Sequence, residues 1–236
     1  MKSRNKVDTN KSTCFCFCLL HRKRKKRKKT LEELKKNGIS LDTLHQLSYK
    51  SCLGKSLVNS LRKFDKTALF QELREIVAFY QESDILDDVD LDYRIKSIDS
   101  CERKYIKFYP EMRFEKVFND ILGFRMLLDN YEILLMGEMP QYFRKVDMSQ
   151  GKAQDDGYRG VHIYFQPTHF HYPIEIQANT YYDRQINNWL HKYLYKKGYD
   201  NAIGRTLRSL YECGKILNEK MFEEALQDVL SDCKKI

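Results

Sequence analysis

Residues 156–180 read DGYRGVHIYFQPTHFHYPIEIQANT, and this stretch carries the strongest structural signals in the chain. Its IEIQ alternation predicts a β-strand that places Glu175 and Gln177 on the same face. A glycine-flanked turn at residues 157–160 and His162 precede that strand. A carboxylate and an amide beside aromatic, basic and imidazole side chains indicate a functional site more than a hydrophobic core.

Composition and charge indicate a globular protein with a basic N-terminal segment. The 236 residues are 42% hydrophobic and 13% aromatic, which argues against general disorder. The formal net charge is +9, of which residues 1–29 contribute +11, so the remaining residues carry −2. The seven cysteines lack paired-motif spacing, which predicts reduced thiols in a cytoplasmic protein. No run approaches the roughly 20 apolar residues of a membrane span, so no membrane association is expected.

Residues 1–29 lack helical or strand periodicity and are predicted to form a basic, disordered arm. Its HRKRKKRKK run suits a nucleic acid or another anionic surface, because each cation near a phosphate releases condensed counterions. A solvated tail without a partner is the alternative. A second, smaller basic patch on the predicted helix at residues 56–81 consists of Arg62, Lys63 and Lys66, and a solvated helix face is the alternative for it. The candidate RNA contacts are Arg24, Lys25, Lys26, Arg27, Lys28, Lys29, Arg62 and Lys63.

Helical signals dominate both ends of the remaining chain. Residues 30–55 are predicted to form short helices, the first capped by Thr30 and ended by Gly38. Residues 56–81 have apolar positions at helical spacing, which predicts one long helix or two with a break near Asp65. Further predictions are a loop at 84–92, a helix at 130–138, a strand at 141–146, a loop at 147–157 and a helical tail from about residue 206 to 229.

Four polar side chains are predicted to converge where a strand meets a helix. Arg94 and Lys96 share one face of a predicted strand, and Ser100 and Lys104 lie one turn apart on the helix that follows. The helix N-terminus adds backbone N–H donors, so the junction suits a polyphosphate. Basic strand ends are common, however, and the signal is weak when it is taken alone.

Charged residues also interrupt an apolar run at residues 114–128, which is predicted to enter the sheet as a buried strand. Asp120, Gly123 and Arg125 lie within it. A buried charge needs a partner, because burying it alone is costly. Two interpretations are open: an internal ion pair, or a metal-holding aspartate beside an arginine that contacts substrate.

Five segments, taken in order, resemble the synthetase domain of the RelA/SpoT family, which transfers pyrophosphate from ATP to a ribose 3′-hydroxyl. The resemblance implies an α/β (mixed α+β) fold, with a mixed sheet of about five strands flanked by helices as in nucleotidyltransferases. It implies a synthetase domain at residues 56–204, followed by a helical tail at 205–236. The segments are R-x-K-x-x-x-S-x-x-x-K at 94–104, D-x-x-G-x-R at 120–125, GYRGVH at 157–162, E-I-Q-x-x-T at 175–180 and H-x-x-x-Y-K at 191–196.

The resemblance also implies a role for each matched residue. Asp120 would hold Mg²⁺, and Glu175 would be either a second metal ligand or the group that activates the attacking hydroxyl. Tyr158 would stack on the acceptor base, because every base has a π-face. A satisfied structural role is the alternative for each histidine. The implied ATP contacts are Arg94, Lys96, Ser100, Lys104 and Arg125, and the implied acceptor contacts are Tyr158, Arg159, His162, Gln177, Asn179 and His191.

Departures from the family pattern bear on the acceptor. The chain reads EIQANT where the family usually reads EIQIRT, so Asn179 replaces a cation, and the usual Trp-Ala pair and Glu are missing before His191. One toxic branch of single-domain small alarmone synthetases (toxSAS) pyrophosphorylates the 3′-CCA end of tRNA, and an altered acceptor motif with a basic arm fits that polyanion. We therefore predict a tRNA-modifying, translation-inhibiting toxin with a neutralising antitoxin protein.

Two alternatives to the toxin hypothesis are open. The first is a small alarmone synthetase that makes (p)ppGpp or a related nucleotide from ATP and GDP or GTP. The second is a catalytically silent nucleotide- or RNA-binding module. The presence of Asp120 and Glu175 argues against the silent module, because a degenerate site is expected to lose its metal ligands first.

Overall fold

The structure is a computed structural model that describes residues 29–195 and 197–233. The predicted basic arm therefore lies outside the described residues except for Lys29. The candidate RNA contacts at residues 24–28 and the motif residue Lys196 also lie outside them.

The described chain begins in a helix, α1, at residues 29–36. Gly38 follows the end of α1 with a φ of 98°, in agreement with the predicted stop. The prediction that Thr30 caps this helix is wrong, because residue 29 is already helical. Thr30 is instead fully buried, and a methyl group added at Gly137 would overlap its hydroxyl. Its place in the core thus overrides the local capping signal.

The segment predicted as one or two helices at residues 56–81 is helical mainly in its second part. Helix α3, Lys66–Gln81, begins after Asp65, whose carboxylate accepts a 2.8 Å hydrogen bond from the backbone N–H of Ala68. Before it lies only a 3₁₀ turn, Leu61–Lys63. An α-helix does not form earlier because the backbone N–H of Leu57 donates to His169 and its C=O accepts from Glu115, both far away in the sequence. The expected break at Asp65 is confirmed, but an α-helix before it is not.

The remaining helices surround the sheet or extend from its last strand. The π-helical turn His191–Tyr195 follows α7 directly. The segment at 98–108 is helical as predicted, and so is most of the predicted C-terminal tail. The helices are α2 Leu41–Gln46, α3 Lys66–Gln81, α4 Ile98–Phe108, α5 Phe114–Val117, α6 Glu132–Met136, α7 Tyr181–Leu190, α8 Asn201–Glu212 and α9 Glu219–Cys233.

The sheet confirms the predicted mixed five-stranded architecture. Its strand order is β1-β2-β5-β4-β3, with β2 and β5 parallel and the other neighbours antiparallel. The predicted strand at residues 114–128 is wrong in its first part, because Phe114–Val117 is the short helix α5 and Asp120 lies in the loop before β2. The strands are β1 Asp92–Ile95, β2 Leu122–Leu128, β3 Phe143–Met148, β4 Gly160–Phe165 and β5 Ile174–Thr180.

Side-chain alternation gives the sheet two different faces. On β2, Phe124 and Met126 are buried, whereas Arg125 between them is half-buried and Leu127 is exposed. Because successive strand residues point to opposite faces, the apolar residues form one face and the site residues lie on the other. The apolar face belongs to the main core, in which buried residues of α3 and α4 join those of the strands. The polar face is left for the candidate site.

A second hydrophobic cluster joins α7, α8 and α9. Trp189, Leu207 and Phe222 are among its buried members. This cluster lies beside the turn at residues 157–160, because Gly204 of α8 contacts the backbone of Asp156 and Gly157. The helical tail therefore packs on one of the stretches that the sequence singles out.

No helix of the described residues is long and apolar enough to cross a membrane. Within the same residues Cys52, Cys101 and Cys213 are free thiols.

Candidate active site

Two rows of residues cross the polar face of the sheet side by side. Strand register defines them, because directly paired residues on neighbouring strands point to the same face. Gly123 contributes no side chain between Arg94 and Glu175, which leaves a pocket whose lining also includes Asp120, Arg125 and Gln177. The first row is Arg94, Gly123, Glu175, Tyr164 and Arg144, and the second is Asp92, Arg125, Gln177, His162 and Val146.

Asp120 forms a compact ion cluster with two lysines at one side of this pocket. Lys96 Nζ lies 2.5 Å from Asp120 Oδ2, and Lys104 Nζ lies 2.9 Å from Oδ1. Lys96 leads into helix α4 and Lys104 lies on it, so the strand-to-helix junction positions both cations. Burial raises the pKa of the Asp120 carboxyl, but the charges of Lys104 and Lys96 outweigh that effect and lower the pKa overall. The ion-pair interpretation of Asp120 therefore holds in this structure.

Glu175 lies at the centre of the first row and accepts hydrogen bonds at both carboxylate oxygens. The hydroxyl of Tyr164 donates to Oε1 at 2.9 Å, and the amide of Gln177 donates to Oε2 at 2.8 Å. His162 Nδ1 is 3.1 Å from Oε1. Burial raises the pKa of Glu175, but the hydrogen bond and charge of His162 outweigh it and lower the pKa overall. The Glu175 carboxylate is therefore ionised at neutral pH, and its hydrogen bonds fix its position.

The imidazole of His162 links Glu175 to the glycine-flanked turn. Its Nε2 lies 2.7 Å from the hydroxyl of Tyr158, while Nδ1 faces Glu175. Burial raises the pKa of Tyr158 to about 12, so its hydroxyl is protonated at neutral pH. The residues predicted to contact the acceptor base and the attacking hydroxyl are therefore joined in one hydrogen-bonded chain, Tyr158–His162–Glu175.

The side chain of Arg159 forms an ion pair within the turn. Both of its terminal nitrogens donate to the carboxylate of Asp155, at 2.7 and 3.1 Å. Its carbonyl oxygen accepts hydrogen bonds from the amides of Asn179 at 2.9 Å and Asn187 at 2.7 Å. Asn179 is only 1% exposed, so in this structure it supports the turn from below. Direct acceptor contact by Arg159 or Asn179 stays a prediction.

Arg208 is a structural residue of this region that the sequence predictions do not include. It is 1% exposed, and its guanidinium donates to Gly157 O, Asp183 Oδ1 and Asn187 Oδ1 at 2.7, 2.7 and 2.9 Å. A signal was present in the sequence, since Arg208 follows the buried Leu207 on the apolar stripe of an amphipathic helix. An arginine within such a stripe indicates a buried partner. Arg208 thereby ties α8 to the turn and to α7.

The remaining predicted residues do not line the pocket. Ser100 is in the first turn of α4, where its hydroxyl accepts hydrogen bonds from Ser97 Oγ and Arg103 Nη2 at 2.9 and 3.0 Å. His191 is exposed at the first residue of the π-helical turn. Arg62 forms an exposed 3.0 Å ion pair with Glu111. The basic patch at residues 62–63 therefore has part of its charge neutralised.

The carboxylates at the pocket suit a metal ion that binds together with a nucleotide. Mg²⁺ usually takes one or two protein carboxylates and completes its coordination with phosphates and water. Asp120 and Glu175 both line the pocket, and no group of three or more His, Cys, Asp or Glu residues in the described chain is arranged to hold a metal ion. The two carboxylates therefore suit Mg²⁺ that is also coordinated by a triphosphate. They are too few to coordinate a metal ion by themselves.

Gly204→Ala should destabilise the protein, although alanine favours a helix interior by about 1 kcal/mol over glycine. The added methyl group would overlap the carbonyl oxygen of Asp156, which is backbone and cannot move aside cheaply. Overpacking of this kind typically costs about 1–3 kcal/mol, and the displaced turn should also reduce activity. Denaturant unfolding measures the change. Gly123→Ala is the control, since its methyl group would make only ordinary contacts, the nearest at 3.6 Å. Equal stability of Gly204→Ala and the native chain would contradict the close approach.

Comparison with known proteins gives matches among solved structures only. No protein-family model matches the chain, and no curated protein does. Small alarmone synthetase 1 from Bacillus subtilis, bound to its product pppGpp, is 19% identical with a TM-score of 0.40, over 71% of this chain and 92% of that chain. Small alarmone synthetase 2 from Bacillus subtilis is 19% identical with a TM-score of 0.38, over 72% and 92%. A GTP pyrophosphokinase family protein from Streptococcus pneumoniae is 19% identical with a TM-score of 0.35, over 72% and 89%. Identities this low do not define an activity, so the function has to be inferred from the residues of the site.

Proposed function

We propose that this chain is an ATP-dependent pyrophosphotransferase that transfers the β,γ-pyrophosphate of ATP to a ribose 3′-hydroxyl. The observation that carries the proposal is the meeting of six charged residues around one pocket: Arg94, Asp120, Arg125 and Glu175 line it, and Lys96 and Lys104 pair with Asp120. Phosphoryl-type transfer depends mainly on positioning and on neutralising the charge of the phosphates. Two lysines, two arginines and two carboxylates supply both requirements.

On the donor side, Arg94 and Arg125 are available to the nucleotide. Neither has a carboxylate within ion-pair distance among the described residues, and both line the pocket. Lys96 and Lys104 neutralise Asp120 in this structure, and the phosphates of ATP offer them alternative anions. Mg²⁺, when bound, would neutralise charge on the triphosphate, and Asp120 is the carboxylate that would hold it, because Glu175 serves the attacking hydroxyl. When ATP binds, the two lysines therefore move from Asp120 to the phosphates, and Asp120 becomes available to Mg²⁺.

The acceptor side is arranged around Glu175. In the reaction the 3′-oxygen forms a bond to the β-phosphorus, the bond from that phosphorus to the α,β-bridging oxygen breaks, and AMP leaves with the electron pair. Glu175 is ionised and faces the pocket, so it can accept the hydrogen bond of the attacking hydroxyl and take its proton. Tyr164, Gln177 and His162 fix the orientation of this carboxylate.

We further propose that the acceptor is the 3′-CCA end of tRNA, which would make the chain a translation-inhibiting toxin paired with an antitoxin protein. The charge of +11 in residues 1–29 supports a large polyanionic acceptor. The replacement of a family cation by Asn179, which is buried beneath the turn, supports an acceptor other than a guanine nucleotide. Synthesis of (p)ppGpp from GDP or GTP is the competing function, and it uses the same donor chemistry.

A transfer assay with ATP labelled at the γ-phosphate tests this proposal. The protein is offered deacylated tRNA, GDP or GTP, and we expect label to move to tRNA alone. Periodate-oxidised tRNA is the matched control, because it lacks the 3′-hydroxyl and should receive no label. Label on guanine nucleotide alone would overturn the tRNA acceptor and keep the pyrophosphotransferase. Bound ATP without transfer to any acceptor would overturn the enzymatic function in favour of a binding module.

A further inference from the structure

Arg184 on α7 is a half-buried arginine with an unusual set of neighbours. Its hydrogen bond in the described structure runs from Nη1 to the neutral amide oxygen of Asn179, at 3.4 Å. Among the described residues no carboxylate lies within ion-pair distance of it. Asp92 attracts it only from farther away. A guanidinium that is partly removed from water normally has a closer anionic partner.

The other half-buried or buried arginines near the turn do have such partners. Arg159 is paired with Asp155, and Arg208 is paired with Asp183, each at 2.7 Å. Arg184 has no such partner among the described residues. Burial and the charge of Arg125 both lower the pKa of Arg184, which means that its charged form is disfavoured where it lies. A half-buried guanidinium that lacks a close carboxylate partner is suited to an anionic ligand.

The location of Arg184 indicates which anion it would bind. Asn179, its hydrogen-bond partner, also donates to the carbonyl of Arg159 and lies 3.5 Å from the Tyr158 hydroxyl. Arg184 therefore lies beside the turn proposed for the acceptor. An anion held by Arg184 would consequently lie beside that turn.

We propose that Arg184 binds the 5′-phosphate of the acceptor nucleotide, an inference that rests on the proposed function. The planar fork of a guanidinium matches two phosphate oxygens, which favours arginine over lysine in this role. In an RNA end that phosphate is the phosphodiester before the terminal nucleoside, and in GDP it is the diphosphate. In either case Arg184 sets affinity for the acceptor and leaves affinity for ATP unchanged.

Arg184→Gln tests the proposal, with Arg184→Lys as the conservative variant and Arg74→Gln as a control at an exposed arginine of α3. We expect Arg184→Gln to raise the KM for the acceptor about tenfold, the effect of losing one charge-assisted contact of about 1.4 kcal/mol. The Kd for ATP, measured calorimetrically, should stay within about twofold. Arg184→Lys should recover part of the loss, and Arg74→Gln should change neither constant.

Salt dependence and parallel assays with tRNA and GDP distinguish a phosphate of RNA from a phosphate of a guanine nucleotide. If the phosphate belongs to RNA, Arg184→Gln should reduce the slope of log KM against log salt concentration by about 0.7 for one lost contact to a single strand. If it belongs to a guanine nucleotide, the KM for GDP should rise instead. An unchanged acceptor KM, or an equal loss of ATP affinity, would overturn the proposal.

Failure of the proposed function can be told apart from failure of this inference. If the native protein transfers no label at all, the proposed function fails. Binding of a fluorescein-labelled single strand ending in CCA, and of a fluorescent GDP analogue, then still decides the role of Arg184. Weaker binding of either probe to Arg184→Gln, with an unchanged melting temperature, supports the phosphate site. Equal binding of both probes to the variant and the native protein overturns it.

Discussion

Glu175→Gln is expected to reduce pyrophosphate transfer by at least about a hundredfold, the lower range for losing a positioned acid–base group, while ATP affinity changes little. The substitution keeps the shape of the side chain and one oxygen that can accept a hydrogen bond, but it removes the negative charge. Glu175 is 6% exposed and lies between the donor residues and the Tyr158–His162 pair. The rate is measured with labelled ATP and the ATP affinity by calorimetry. Near-normal transfer by Glu175→Gln would show that the site has been assigned wrongly.

The pH dependence of the native enzyme provides the control for this prediction. A carboxyl whose folded-state pKa is lowered stays ionised down to a pH below its ordinary value, which is 4.5 for Glu175. Transfer that depends on the Glu175 carboxylate should therefore not decline between neutral pH and about pH 5, and it should be lost only as the pH falls further. An acid limb near pH 6–7 would contradict the assignment of Glu175 as the group that must be ionised.

Substitution of Asp120 is harder to interpret than substitution of Glu175, although the proposed reaction requires both carboxylates. The ammonium group of Lys96 is buried, with a side-chain exposure of 8%, and its partner in the described structure is Asp120. Replacing Asp120 by Asn would leave this buried cation without a counter-charge, a change that is costly by itself. A loss of activity in that variant would therefore combine lost chemistry with lost stability.

Local sequence patterns predict the strands that form the site but not the way in which they pair. The alternation at residues 174–177 predicts β5 and the common face of Glu175 and Gln177, and both features are present. The row that brings Arg125 beside Gln177 and His162 depends on parallel pairing of β2 with β5 and antiparallel pairing of β5 with β4. Register between strands far apart in sequence is set by packing of the whole sheet, so no local pattern contains it.

The incorrect predictions share a physical cause, since tertiary contacts override local preferences. Residues 56–60 have helical apolar spacing, yet the backbone of Leu57 pairs with His169 and Glu115 at 2.8 and 2.9 Å. Thr30 is followed three residues later by a glutamate as in a capping box, yet it is buried within α1. Propensity and capping signals are each worth about 1 kcal/mol, which burial in a core readily exceeds.

Arg184 and Arg208 differ in how well a single sequence predicts their places in the structure. Arg208 interrupts an apolar helical stripe, so its burial could have been anticipated. Arg184 follows Asp183 in an ordinary polar stretch of α7. Its place beside the acceptor turn comes from its hydrogen bond to Asn179, a residue that is buried beneath that turn only in the folded chain. The role of Arg184 depends on the absence of a nearby carboxylate and on residues outside its own helix. The sequence around Arg184 therefore does not predict it.

Arg208→Met is expected to have the largest effect on stability, a loss of about 3–5 kcal/mol. The variant preserves much of the side-chain volume but leaves a carboxylate oxygen of Asp183, the amide oxygen of Asn187 and the carbonyl of Gly157 without their donor. For a chain of this size the loss corresponds to a fall in melting temperature of roughly 6–20 °C. Calorimetric melting measures it directly. Arg205→Met is the matched control, because Arg205 lies on the exposed side of the same helix and should change stability by no more than about 0.5 kcal/mol.

The same variant tests whether the helical tail is part of the site. Arg208 holds the carbonyl of Gly157, the residue before Tyr158, so its loss should release the turn even at temperatures where the variant stays folded. Transfer should then fall while ATP binding persists, because the donor residues Arg94, Lys96 and Lys104 lie on elements that Arg208 does not contact. An Arg208→Met protein that melts earlier but transfers at the native rate would mean that the tail stabilises the domain without shaping its acceptor side. Loss of both properties would place α8 within the catalytic unit, in spite of its position in the predicted C-terminal tail.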